Sequence, residues 1–131
     1  MKTNIIKKVL LISFFSLLLL SCEKENQDIL IGKWEFVQGF NSMSGYYIPG
    51  IQASRIEEYT KDNIRIRYDF EGNEISRCNY IATNSTFTIS GKELNGETWS
   101  LDYNYWFVHD TLKLRNDGGF EYYDEFFIRI N

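Results

Sequence analysis

The sequence predicts an all-β domain, a small eight-stranded antiparallel up-and-down barrel behind a cleaved leader. Three observations predict it. Apolar and polar residues alternate along most of the chain after residue 28, and helical periodicity is almost absent. Turn residues (Asp62-Asn63, Gly72-Asn73, Asn84-Ser85, Asn95-Gly96, Asp117-Gly118-Gly119) recur at short intervals, and short connections favour antiparallel neighbours. A meander of about eight such strands exposes two edges unless it closes into a ring, a two-sheet sandwich being the alternative.

The leader comes first. Lys2, Lys7 and Lys8 precede an apolar run from Val9 to Leu20. As a helix of ~1.5 Å per residue this run reaches roughly 18 Å, against ~30 Å of bilayer hydrocarbon, so it has the anatomy of a signal peptide rather than a span. Leu19, Ser21 and Cys22 resemble the lipobox of bacterial lipoproteins, in which a small residue precedes the cysteine that takes diacylglycerol. That resemblance implies a signal peptide over 1–21 and a mature chain that begins at an acylated Cys22. It also implies a location in the cell envelope, lipid-anchored to the outer membrane on its periplasmic or surface-exposed face. Residues 22–28, charged and without apolar period, read as a lipidated tether, and 29–131 as the barrel.

Composition narrows the partners. Without the first 21 residues, 110 of the 131 remain, enough for one modest core. Eleven basic residues then face 18 acidic ones, a charge of −7, which excludes a basic nucleic-acid footprint. With Cys22 acylated, Cys78 has no partner for an intramolecular disulfide, so the domain is held by packing alone. Twenty of the 22 aromatic residues lie in the mature chain, far more than a helical bundle of this size would use.

The strands follow in order. Lys33 to Phe40 places Trp34, Phe36, Gln38 and Phe40 on one face. Ile64 to Phe70 offers Ile64, Ile66, Tyr68 and Phe70 inward, with Arg65, Arg67 and Asp69 outward. Trp99 to Phe107 alternates Trp99, Leu101, Tyr103, Tyr105 and Phe107. A two-residue loop at His109-Asp110 pairs Phe107 with Leu112 and Tyr105 with Leu114, so Leu112 and Leu114 continue the same face. Weaker strands are Arg55–Tyr59, Glu74–Ala82, Thr86–Ser90 and Tyr122–Ile130. The connection from Asn41 to Gln52 is long, contains Pro49 and carries Met43, Tyr46, Tyr47 and Ile48. It reads either as a binding loop or as a plug in which Tyr46 and Ile48 fill one barrel end.

Gly32-Lys33-Trp34 opens the first strand, and Arg129 lies in the last, in Phe126-Phe127-Ile128-Arg129-Ile130. This pair resembles the Gly-x-Trp opening of lipocalins and of the lipocalin-like domains of envelope lipoproteins, where an arginine of the last strand packs over the motif tryptophan. Leu101-Asp102-Tyr103 is only faintly similar to the family's Thr-Asp-Tyr motif and reads as strand. The chain is shorter than most lipocalins and shows no C-terminal helix pattern, so it resembles the compact lipoprotein type. The resemblance implies a first loop that closes over a cup holding a small apolar molecule, and no cofactor. Trp34, Phe36, Ile66, Tyr68, Tyr103, Tyr105 and Phe107 are the inward candidates, large enough together to fill the barrel themselves.

Chemistry offers less. His109 stands at a hairpin tip beside Asp110, apart from Cys78, so neither a metal centre nor a nucleophile–histidine pair is expected. In Glu57-Glu58 one carboxylate must face inward. A three-residue turn at Lys61–Asn63 aims Glu58 in beside Ile56; a two-residue turn at Asp62-Asn63 aims Glu57 in with Tyr59. Either needs a partner, such as Arg55, Arg77 or a tyrosine hydroxyl. Asn84-Ser85-Thr86 reads as turn chemistry and Asp110-Thr111-Leu112 resembles a short O-glycan acceptor pattern. The sequence therefore points to a non-enzymatic, lipid-anchored barrel that binds a small hydrophobic or amphipathic ligand through Trp34, Phe36, Tyr46, Tyr47, Tyr68, Tyr103, Tyr105 and Glu58. The alternative is an interaction module with a filled barrel and a working outer surface at Trp106, Tyr123 and Phe127.

Overall fold

The structure, a computed structural model, describes residues 28–117 and 119–131. The expected leader, the expected lipidation site at Cys22 and all of the expected tether but Asp28 lie outside them. Among the described residues, nine strands follow the helical residues 28–30: β1 (Gly32–Asn41), β2 (Gly45–Tyr47), β3 (Ile56–Tyr59), β4 (Ile64–Tyr68), β5 (Glu74–Ala82), β6 (Thr86–Lys92), β7 (Thr98–Val108), β8 (Thr111–Asp117) and β9 (Tyr122–Ile130). Neighbours in sequence pair antiparallel from β3 to β9, β1 pairs β3, and β9 returns to β1. Eight strands thus close a barrel. The ninth, β2, pairs Gly39–Asn41 of β1, beyond the stretch of β1 that pairs β3. A short 3-10 turn, Ile51–Ala53, completes the long connection.

The up-and-down order sorts the connections by end. Residues 60–63, 83–85 and 109–110, with the helical residues 28–30, lie at one end. The connections 42–55, 69–73, 93–97 and the one entering Tyr122 lie at the other. The first end is solid. Trp34, Tyr59, Tyr80, Phe87, Tyr105, Leu112, Leu114 and Phe127 are buried there with Leu30, whose carbonyl accepts the Trp34 indole N–H at 2.8 Å. Buried tyrosine hydroxyls find main-chain acceptors: Tyr80 donates to the Thr60 carbonyl at 2.8 Å and Tyr105 to that of Thr83. Each such aromatic contributes about 1.5–3 kcal/mol by burial, which is how this end is kept shut with no disulfide among the described residues; Cys78 is a free thiol.

Arg129 lies with its guanidinium 4.5 Å from the Trp34 ring centroid and donates to the carbonyls of Ile29 and Ile31, fastening the helical residues to the last strand. Gly32 makes this possible. Its φ is +139°, and a Cβ there would meet Arg129 Nη1 at 2.7 Å.

Registers agree with the alternation in β7 and β8, where Phe107 faces Leu112 and Tyr105 faces Leu114 across His109-Asp110. Two strands depart from it. A bulge between Phe36 and Gln38 shifts the phase of β1, so Gly39 rather than Gln38 or Phe40 continues the inner face. The space is taken by the Tyr47 ring, which a Cβ on Gly39 would meet at 2.1 Å. In β4 the expected phase is inverted. Arg65 pairs with Tyr59 and Cys78 on the inner face and Arg67 with Glu57 and Ser76, while Ile66 and Tyr68 share the outer face with Glu58 and Ile56. The turn is the three-residue one at Lys61–Asn63, with Asn63 in the left-handed region at φ 60°, yet Glu57 points in. Three arginines around a buried carboxylate outweigh the isoleucine pattern, and Ile66 is still buried on the outer face.

Candidate functional site

The open end holds polar chemistry inside the barrel. Glu57 has no exposed surface. Its Oε1 accepts from Arg65 Nη2 at 2.6 Å, Arg55 Nε at 3.1 Å and Arg67 Nη2 at 3.3 Å. Its Oε2 accepts from Arg65 Nε at 2.9 Å and the Tyr59 hydroxyl at 2.7 Å. Arg65 therefore clamps the carboxylate side-on, its Nε and Nη2 each bonded to one carboxylate oxygen. Arg55 lies over the packed Phe36 and Phe127 rings, 4.2 and 5.4 Å from their centroids, and reaches Glu125 Oε1 at 2.5 Å.

Burial alone would raise the Glu57 pKa; Arg65 first, then Arg55 and Arg67, outweigh it and hold the carboxyl down at about 2. Burial and the neighbouring Glu57 carboxylate push the Tyr59 phenol well up. Burial likewise lowers the tendency of Arg65 to stay charged, and Glu57 more than restores it. Tyr103, raised by burial and then by Glu125, belongs to the same field. Near neutral pH Glu57 is therefore held as a carboxylate.

Above this floor sits a cavity of about 250 Å³ lined by Tyr47, Tyr103, Asn116, Tyr123 and Glu125. Tyr47 reaches it because the Asn41 side chain accepts from the Met43 and Ser44 N–H groups, at 2.7 and 3.0 Å, and turns β1 sharply into β2. Trp99, across the ladder from Gly91, lays its ring over that glycine, whose Cβ would meet Trp99 Cζ2 at 2.8 Å. Every connection at this end carries exposed large apolar side chains: Met43, Ile48 and Ile51, Phe70, Leu94, and Phe120. The connections at the solid end carry none among the described residues.

Of the residues singled out from sequence, Tyr47 and Tyr103 line this cavity, and Phe36 lies beneath it with its ring 6.5 Å from that of Tyr47. Trp34 and Tyr105 belong to the solid end. Glu58 and Tyr68, expected inside, are bonded to each other at 2.7 Å on the outer face, because the β3–β4 pair presents Glu57 and the arginines inward. Tyr46, not Tyr47, lies outside, its ring 4.7 Å from Phe40 and 6.2 Å from Phe126. Ile48 is exposed rather than a plug. Phe127, expected on the surface, is wholly buried, and Tyr123 faces the mouth, whereas Trp106 is outward as read. Arg77 pairs with Glu74 at the surface and takes no part. Arg65, Arg67, Asn116 and Glu125 were missed as interior groups. The one signal for the first two was charge complementarity with a carboxylate on the facing strand.

A second buried carboxylate, Asp124, faces outward. It accepts from Arg115 at 2.6 and 2.8 Å and is paired with Lys113 at 2.9 Å. The same cations lie over Trp106, Phe126 and Tyr122, making an aromatic and cationic band on the outer wall. Compared with known proteins, the chain matches no family model, and no curated protein is recognisably similar to it in sequence.

Proposed function

We propose that the chain is a non-enzymatic binding module, a lipid-anchored envelope lipoprotein whose lipocalin-like barrel receives one end of a small hydrophobic or amphipathic molecule at its open end. The observation that carries the reading is the cavity above the buried Glu57 cluster, walled by tyrosine rings with Asn116 and Glu125 as its polar groups. Replacing buried ion pairs by apolar side chains is often neutral or stabilising, so five charged groups inside a barrel are poorly explained by stability alone. At about 250 Å³ the cavity falls below the usual range of roughly 300–1,000 Å³ for whole ligands. It suits the polar end of an amphipathic molecule, with the apolar remainder against Ile48, Phe70, Leu94 and Phe120 at the rim. A charge-locked Glu57 and a histidine at the opposite end both speak for binding rather than turnover. The Gly32–Trp34–Arg129 stack supports the lipocalin-like assignment.

Titrating amphiphiles while following Trp99 fluorescence tests the cup: a saturable change is expected, and its absence across fatty acids, sterols and haem-like molecules overturns the reading. Labelling cells with a clickable palmitate analogue tests the anchor. Label is expected on the wild-type protein and lost in Cys22→Ser; equal labelling of both refutes it. A second reading, an envelope protein-interaction module, is favoured by the solid end of the barrel and the outer Trp106–Lys113–Phe126 band. It predicts a cross-linked partner from intact cells that disappears in Trp106→Ala.

A further inference from the structure

The barrel wall splits between β5 and β6. The two strands pair over four rungs, from Ala82–Phe87 to Asn79–Ser90, and then part. Beyond that point β5 runs on beside β4, with Cys78 opposite Arg65 and Ser76 opposite Arg67. β6 instead runs on beside β7, with Gly91 opposite Trp99 and Lys92 opposite Thr98. The edge of Gly91 and Lys92 that faces β5 therefore pairs no strand. A cleft of about 520 Å³ lies at the split, lined by Asn79, Ser90, Thr98, Ser100 and the Trp99 ring, with Gly91 and Lys92 at the parted edge. Gly91 shapes it. A Cβ there would meet Trp99 Cζ2 at 2.8 Å and Nε1 at 3.0 Å, so a larger residue would displace the ring. The five polar side chains of the cleft make no hydrogen bond or ion pair among the described residues, and the Trp99 indole N–H has no acceptor there. On the next outward rung Thr88 donates to Asp102 at 2.7 Å, so hydroxyls of this wall are paired where an acceptor is in reach.

We infer that this cleft is a second binding site, separate from the cup, and that it takes a neutral sugar residue of a glycan. The amide and hydroxyls of Asn79, Ser90, Thr98 and Ser100 each both donate and accept, as sugar hydroxyls do. The Trp99 ring supplies an apolar surface for the C–H face of a pyranose and an N–H for one of its oxygens. An apolar chain in the same place would cover these polar groups without pairing them. An anion would find one ammonium, Lys92, with Glu93 and Glu97 in the adjoining connection against it. An extended peptide added to the β6 edge would lie in the plane of the sheet, whereas Asn79, Ser90 and Ser100 share one rung and stand off that plane. The volume falls within the roughly 300–1,000 Å³ usual for small-molecule sites, which the cup above Glu57 does not reach.

The test titrates the purified full chain by calorimetry at neutral pH with maltohexaose, cellohexaose, xylohexaose and hexagalacturonate, each taken to millimolar concentration. Saturable binding of at least one neutral hexaose is expected, at least tenfold tighter than that of hexagalacturonate. The double variant Asn79→Ala, Ser100→Ala changes two exposed side chains and is expected to weaken that binding at least fivefold with an unchanged β-sheet circular dichroism spectrum. Trp99→Ala is expected to abolish it. Binding of none of the three neutral sugars overturns the inference, and this comparison needs no variant to fold. Hexagalacturonate binding as tightly as the neutral sugars overturns the neutral-ligand argument. Full affinity in the double variant places the sugar elsewhere and overturns the site.

Discussion

Replacing Glu57 by Gln removes one charge and almost no volume from the middle of the barrel. It leaves Arg55, Arg65 and Arg67 with Glu125 as their remaining interior carboxylate, and Arg65 is almost fully buried. Breaking a buried ion pair by neutralising one partner costs about 3–5 kcal/mol. The pKa gives a second route to the same quantity. A carboxyl lowered from 4.5 to about 2, at 1.36 kcal/mol per unit, corresponds to about 3 kcal/mol of folding free energy. For a domain of this size each kcal/mol moves Tm by about 4–8 °C, so a loss of about 3 kcal/mol should lower the melting temperature of the variant by about 12–24 °C. Urea denaturation at pH 7 reads the same loss as a lower midpoint with an unchanged slope. The pH dependence has a definite sign. The folded pKa lies below the unfolded one, so the contribution is fully present above about pH 4.5 and drains away as pH falls toward about 2. Wild-type stability should fall more steeply than that of Glu57→Gln across that window, and the two should converge at its acid end. A variant within 1 kcal/mol of wild type at pH 7, or parallel acid profiles, would refute the claim that Glu57 is a desolvated keystone.

Three further outcomes follow from individual contacts. Gly32→Ala forces a Cβ into Arg129 at a φ of +139°; a loss of about 1–3 kcal/mol and a red shift of Trp34 emission are expected, and unchanged emission would count against the stacked arrangement. Asp124→Asn strips the carboxylate from between Arg115 and Lys113 and should cost about 2–4 kcal/mol in thermal melts, more than Glu74→Gln at the exposed Arg77 pair, which should cost under about 1 kcal/mol. Gly39→Val collides with the Tyr47 ring and should expel it from the mouth, seen as faster amide exchange over β2, with protection of β7 and β8 preserved; protection of β2 equal to wild type would show that the bulge does not depend on this packing.

Much of the barrel was legible in advance because alternation and turn chemistry are local. The strands Glu74–Ala82 and Tyr122–Ile130 have the predicted bounds, and the Phe107–Leu112 register follows from loop length alone. The stack of Arg129 on Trp34 was expected only through the resemblance of Gly32-Lys33-Trp34 and the last-strand arginine to a known motif pair, and not from alternation or turn chemistry. What alternation leaves open is which of its two faces is the inner one. In Ile64–Tyr68 both faces are plausible, and the answer depends on Glu57, which lies on a different strand and needs Arg65 and Arg67 beside it. A bulge is equally silent in sequence: one extra residue at Val37 moves Phe40 outside and opens the place that Tyr47 takes.

The residues themselves determined that this is a ring of antiparallel strands, since period-two patterning and short turns constrain each strand and its neighbour without reference to distant parts. Closure decided the rest. Joining β9 to β1 turns one face of every strand toward a shared interior, and there charges from β3, β4 and β9 meet that are far apart along the chain. Their mutual attraction at short range in a medium poor in water selects the phase of those strands. The polar cup is therefore a property of the closed barrel and of no single segment within it.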